Sequence, residues 1–297
     1  MEQSWNRAKQ AFAAIAIPPM AWLVLFFLAP LALVWLFSFG QNDGLKDIAI
    51  TGTFANYARA LEPLYLQIFG KSLWVAALTT LFCLVLGFPV ALAITFAPEK
   101  WRGWLLLLIM LPFWTNLLVR TYALIAVLRT NGYVNATVEW FWQLGGLDQL
   151  LGPYQPMELL YNNFAVIFGL IYVHLPFMVL PLYAALDRLD RSLIEASLDL
   201  GAGHLQTILK VVVPLAMPGI VSGIIITFIP ALGAYLTPDL LGGPDSQMIA
   251  NVIERQFKRA NDWPFGAALS FLLMYLTFIA IAIQAVVARH RRENARS

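Results

Sequence analysis

Charge is what this sequence has least of: Asp, Glu, Lys and Arg make up 12% of its 297 residues, while 60% are hydrophobic. A water-soluble domain carries roughly 25% charged residues, so this chain lacks the charge to cover a surface facing water. Cysteine is almost missing too. The single Cys83 lies in an apolar run, which excludes an intrachain disulfide and reads as a small packing residue. A net charge of +2 gives no basic field for nucleic acid. There is no G-x-x-x-x-G-K-[ST] phosphate loop, and no H-E-x-x-H, C-x-x-C or G-x-S-x-G motif. The three histidines, His174, His204 and His290, are scattered and form no metal set. These absences argue against an enzyme, and against a metal or cofactor held by this chain.

What is present is apolar length. A spanning helix needs roughly 20 mostly apolar residues. Six segments qualify: Ala14–Phe39, Ser72–Ala97, Gly103–Leu128, Asn162–Leu186, Val211–Pro238 and Phe265–Ala288. The expectation is an all-α membrane protein with six transmembrane helices, residues 1–297 forming one transmembrane domain. The first segment reads as a retained anchor, since its run is too long for a cleaved leader.

Six spans put both termini on one side. With that side cytoplasmic, the inner parts collect 11 of the 19 Lys and Arg: Arg7, Lys9, Lys100, Arg102, Arg188, Arg191, Lys210, Arg289, Arg291, Arg292 and Arg296. The remaining eight, Lys46 among them, spread over much longer outer loops, so the charge rule favours cytoplasmic N- and C-termini. Trp140, Phe141, Trp142 and Trp263 read as anchors at headgroup depth.

Between the fourth and fifth spans lies a polar insert, Asp187–Lys210. Leu189, Leu193, Ala196 and Leu200 recur at helical spacing, with Arg191, Glu195 and Asp199 on another face. Gly201 supplies a helix stop, and Leu205, Ile208, Leu209 and Val212 begin a second helix. Four acidic residues face three basic ones here, whereas a helix lying on anionic lipid is rich in Lys and Arg. A short, stopped, amphipathic element of this kind suits docking into a partner protein.

The insert also carries a recognisable spacing: Glu195, Ala196, Ser197, then Gly201, nine residues, then Val211, Val213 and Pro214. This resembles the E-A-A, three residues, G, nine residues, I-x-L-P signature of permease subunits in bacterial binding-protein-dependent ABC importers. It departs by Ser197 for Ala and by Val at both aliphatic positions. The stretches Leu111–Ala123, Thr130–Asn135, Leu175–Tyr183, Asp239–Ser246 and Asn261–Ala268 resemble the polyamine (spermidine/putrescine) branch. The resemblance implies a type I ABC importer permease whose loop 187–210 is a cytoplasmic coupling loop. Glu195, Ala196, Ser197, Asp199 and Gly201 would contact the ATPase. It further implies a second paralogous permease subunit, two copies of an ATP-binding subunit that hold ATP and Mg, and an extracytoplasmic substrate-binding protein. The setting would be the lipid of the bacterial inner membrane, with no nucleic acid. Permeases for other small solutes share the signature. A stand-alone secondary transporter is the competing class, but it needs ion-coupling acids that the span interiors lack.

A polyamine path needs carboxylates and aromatic faces, because ammonium groups are held by Coulomb attraction and ring quadrupoles. Asp239, Tyr235, Trp114 and Tyr122 are the candidates. The fifth span, with Pro214, Pro218, Gly219, Gly223, Pro230 and Gly233, is expected to line the path. Arg120 is the one charge well inside a span and reads as half of a structural salt bridge, within this subunit or with its neighbour. His174 reads as structural.

Overall fold

The computed structural model describes residues 2–43, 47–146, 148–149 and 152–294. Lys46 and Arg296 lie outside them, and the side chains of Arg7, Lys9, Arg289, Arg291 and Arg292 are not described either. The chain opens with α1 (Glu2–Leu23), a π-helical turn Val24–Leu28, and α2 (Ala29–Phe37). Strands β1 (Gly40–Asp43) and β2 (Asp47–Ile50) follow, pairing antiparallel with Gly40 opposite Ile50. Next come α3 (Ala55–Ala60), α4 (Pro63–Phe96), α5 (Glu99–Met110), α6 (Leu117–Leu128) and α7 (Tyr133–Leu144). The second half contains α8 (Asn163–Leu186), α9 (Arg191–Asp199), α10 (His204–Thr207), α11 (Val213–Leu215) and α12 (Met217–Leu232). It closes with α13 (Leu236–Leu241), α14 (Ile249–Lys258) and α15 (Trp263–Asn294). The described residues are mostly helical, as expected, with one short strand pair in the loop after α2.

Three of the six expected spans are unbroken apolar helices: Ala14–Phe37, Pro63–Phe96 and Asn163–Leu186. The sixth expected span falls on α15, whose described apolar part, Trp263–Ile279, is shorter than those three. The third and fifth are broken, the fifth in keeping with its run of prolines and glycines. Glu99–Trp114 meets Leu117–Leu144 at 94°, and His204–Leu215 meets Met217–Leu232 at 71°. Proline is the physical reason in both. Pro112 sits in a 3-10 turn, Leu111–Trp114, after which Thr115 and Asn116 are extended and the Asn116 side chain caps the Leu118 amide. Pro218 opens α12, and Pro214 is preceded by a π-helical turn, Ile208–Val212, that relieves the clash its ring would make one turn back. The same device precedes Pro30.

The chain divides into two compact units, residues 67–251 and residues 1–66 with 252–297. In the first, α8 and α12 lie in close contact. A Cβ on Gly219 would meet the Pro181 carbonyl oxygen at 2.8 Å and also Ala185, and one on Gly223 would meet Met178 Sδ at 2.7 Å. Around this contact Cys83, Met178, Val179, Leu182, Val212 and Ile220 form a buried core, with Cys83 as a packing residue.

In the other unit, Arg59 donates to Asp262 at 2.8 Å while its guanidinium lies 3.9 Å over the Phe265 ring. Asn56 Nδ2 donates to the Ser38 and Gly40 carbonyls and fixes the start of the hairpin. The Trp35 indole donates to the Tyr275 hydroxyl at 3.0 Å and ties α2 to α15.

The α8–α12 contact tolerates no side chain at Gly219. Gly219→Val is expected to overpack it by about 1–3 kcal/mol and to lower the melting temperature in detergent by about 3 °C or more, read by scanning fluorimetry.

Candidate functional site

The polar insert joins the two most closely packed helices of its unit, so its position is fixed at both ends. Asp190 opens α9 as its N-cap, accepting from the Ser192 amide at 3.0 Å, and that bond holds its carboxyl below the ordinary aspartate range. At the other end Leu200 is the C-cap and Gly201 turns to φ +83. The Gly201 amide then donates to the Leu198 carbonyl, and that of Ala202 to the Ser197 carbonyl. This is a Schellman closure, which requires the left-handed residue that glycine supplies without strain.

The loop is also tied down from the side. Arg102 Nη1 pairs with Asp187 at 3.2 Å and its Nε donates to the Ala97 carbonyl. Arg191 Nη2 donates to the Thr95 carbonyl at 3.3 Å. Ser197 Oγ shares a hydrogen bond with the buried Thr207 hydroxyl at 3.0 Å, linking α9 to α10. Ser197 is thus not a neutral stand-in for alanine at that position of the signature; it locks the corner. Leu189 and Ile194 pack on the core around Leu186 and Val212. Beside them an apolar cavity of about 390 Å³ opens between Leu92, Phe96, Leu198 and Ile208.

Of the periodic stripe read from the sequence only Leu189, ahead of α9, turns inward. Leu193, Ala196 and Leu200 are exposed, Leu200 at 88% and Leu205 after the corner at 70%, with Glu195 and Asp199 also outward. A rigid two-helix corner therefore presents leucines and carboxylates together to its surroundings. This is the anatomy of an interface: apolar anchors rimmed by charge.

The residues chosen for a path lie at the helix breaks. Trp114 ends the 3-10 turn and is 77% exposed; Tyr122, beyond the break on α6, is 57% exposed. Tyr235 and Asp239 are both exposed and one helical turn apart, the Asp239 amide donating to the Tyr235 carbonyl at 3.0 Å. That carbonyl also accepts from Asn251 Nδ2 at 2.8 Å, while Asn251 Oδ1 accepts the Met248 amide. Sequence reasoning passed over Asn251, which is buried and holds the Tyr235 backbone; a lone asparagine in an amphipathic helix carries no motif that marks it. The Nε and Nη1 of Arg120 are buried without a hydrogen-bond partner, so no salt bridge forms at those atoms among the described residues. His174 is buried and bonds the Leu170 carbonyl through Nδ1 at 2.8 Å.

Comparison with known proteins gives a coherent answer. The family model "binding-protein-dependent transport system inner membrane component" matches residues 83–293. The spermidine/putrescine transport system permease protein PotB of Salmonella typhimurium (strain SL1344) is 42% identical over 269 residues, 91% of each chain. PotB of Escherichia coli (strain K12) is 43% identical over 254 residues, 86% of this chain and 89% of its own. Among solved structures, a chain of a bacterial ABC transporter involved in alginate import superposes with a TM-score of 0.74 at 17% identity, covering 97% of this chain and 99% of its own. A chain of an alginate transporter in complex with its periplasmic protein gives a TM-score of 0.75 at 17% identity, covering 94% of both. At that identity the structural likeness speaks for the fold alone.

Replacing Gly201 by valine removes the residue that the φ of +83 requires. We expect Gly201→Val to unravel the end of α9, read as at least roughly tenfold faster amide hydrogen exchange at Leu200, Gly201 and Ala202 with little change in α8.

Proposed function

The chain belongs to the family of binding-protein-dependent transport system inner membrane components, and from that premise we propose that it is a permease subunit of an ATP-driven polyamine importer. The single observation that carries the reading is the exposed, doubly capped corner Arg191–Thr207, held rigid on the α8–α12 pair. Identity of 42–43% to spermidine/putrescine permeases supports the substrate class. No phosphate loop exists in the sequence, so hydrolysis falls to partner subunits.

In this reading two ATP-binding subunits, which hold ATP and Mg, each receive one coupling helix, one from this chain and one from a second permease subunit. Leu200 and Leu205 insert as apolar anchors, and Glu195 and Asp199 pair with basic groups at the rim. Closure of the ATPase pair on ATP moves the corner as a rigid lever. Because Asp187 and Arg191 tie the corner to the ends of α4, α5 and α8, the displacement passes directly to the spans. The breaks at Thr115–Asn116 and Ala216 are the joints about which half-helices turn. Both termini lie in the cytoplasm, and an extracytoplasmic binding protein delivers the substrate to the opposite face.

The substrate is a flexible polycation. The Asp239 carboxylate offers Coulomb attraction and the exposed rings of Tyr235, Trp114 and Tyr122 offer quadrupole faces, the two kinds of group an ammonium needs. The path is completed by the second permease.

The test is ATPase activity of the co-purified complex with a polyamine-loaded binding protein. Putrescine or spermidine is expected to stimulate it, and an anionic solute is not; equal response to both, or none, contradicts the substrate. Glu195→Lys and Gly201→Asp are expected to abolish uptake while the chain remains inserted at normal level. Uptake at the wild-type rate in either sinks the coupling role. For Asp239→Asn we expect a KM for polyamine raised about 3- to 10-fold, the loss of one exposed charge contact.

A further inference from the structure

Arg120 is a full charge on the apolar helix α6, and the described residues leave two of its nitrogens unsatisfied. Nε and Nη1 are buried and make no hydrogen bond. The Phe113 ring lies 5.7 Å from Cζ, near the outer limit at which a ring face attracts a cation. It takes no part in the ion pairs Arg59–Asp262, Arg102–Asp187 and Lys258–Glu254. Arginine cannot escape by losing its proton, and an unpaired buried charge is among the most unfavourable arrangements a fold can hold. Oxygen from outside the chain must therefore reach it.

The geometry says from which direction. On α6 the inward residues are Thr121 and Leu128, while Val119 and Tyr122 face outward; Arg120 stands at the seam between them. Nε and Nη1 are the buried nitrogens without a partner, so the group that satisfies them meets that edge of the guanidinium. A small rotation of the side chain then presents Nη1 and Nη2 together, the fork that matches a carboxylate. The transported polyamine is a cation and is repelled from this position. A phospholipid phosphate stays at headgroup depth, and a snorkelling arginine would extend toward it rather than bury Nε and Nη1. What remains is an acidic side chain carried by the neighbouring membrane subunit.

We propose that Arg120 pairs, inside the membrane, with a carboxylate of the second permease subunit, so that the two chains recognise each other through a buried ion pair at the break between α5 and α6. This rests on the reading of the chain as one of two permease subunits. The pair fixes register between the subunits, as buried polar groups do in other assemblies.

The experiment uses the whole co-expressed transporter, with a tag on this chain and recovery of the second permease as readout. Arg120→Glu is expected to lower that recovery at least roughly tenfold, and Arg120→Lys to keep most of it. A library of acidic-to-basic substitutions in the spans of the second permease should restore recovery in the Arg120→Glu background. Where Arg120→Glu does not insert, Arg120→Gln is scored instead, with reduced recovery supporting the pairing and unchanged recovery overturning it. Unchanged recovery with Arg120→Glu overturns it as well, and so does restoration only by changes within this chain. Recovery that is unaffected, with ATPase activity in nanodiscs following the fraction of anionic phospholipid through Arg120, assigns the guanidinium to lipid phosphate instead. A wild-type preparation that contains no second permease sinks the functional reading itself, a result distinct from all of these.

Discussion

The close approach of α8 and α12 is the contact on which the rest depends. Gly219 and Gly223 let α12 come down on Pro181 and Met178, and the helices that meet there are the ones the polar insert connects. In a bilayer, apolar side chains gain little by leaving lipid for one another, so helices associate by packing and small residues make that packing possible. Glycine here does the work that hydrophobic burial does in water. With both ends of the insert held by this pair, a loop of about twenty residues becomes a rigid corner.

Rigidity at the corner is matched by breaks elsewhere. The third and fifth spans bend by 94° and 71°, and the residues at the first of these bends include the exposed Trp114. Backbone groups released at such breaks are tolerated in a membrane only where protein or a watered cavity receives them. At Asn116 a side chain caps the Leu118 amide; at Val213 the amide bonds five residues back to the Ile208 carbonyl. A permease needs both properties. In the proposed coupling the stiff element takes up the push from ATP, and the jointed spans turn it into an opening.

Much of this was legible in the sequence because the bilayer demands it. Apolar runs of span length announce themselves, and Gly201 followed by a small residue announces a helix stop. Other features were not. Proline in a span signals a kink, but the same residue is tolerated inside unbroken helices, as Pro176 and Pro181 are in α8; which prolines break a span depends on neighbours the sequence does not display. The leucine stripe of the insert was legible as a stripe, yet periodicity cannot say whether the core or a partner covers it. Here Ile194 goes inward and Leu200 outward. Thr207 and Asn251 hold the corner and the Tyr235 backbone through single hydrogen bonds, and no motif marks them. Arg120 was visible as a charge; that its Nε and Nη1 are buried without a partner among the described residues required coordinates.

The central claim is that the exposed face of α9 and its corner lies inside a partner. A single cysteine at Leu200, with the buried Cys83 left in place, tests it directly in native membranes. A short bifunctional crosslinker is predicted to join Leu200→Cys to an ATPase subunit in high yield, with the yield changing between nucleotide-free and ATP-bound states. Modification of the same cysteine by a water-soluble maleimide at the full rate in the assembled transporter, with no crosslink to any ATPase, would contradict the account.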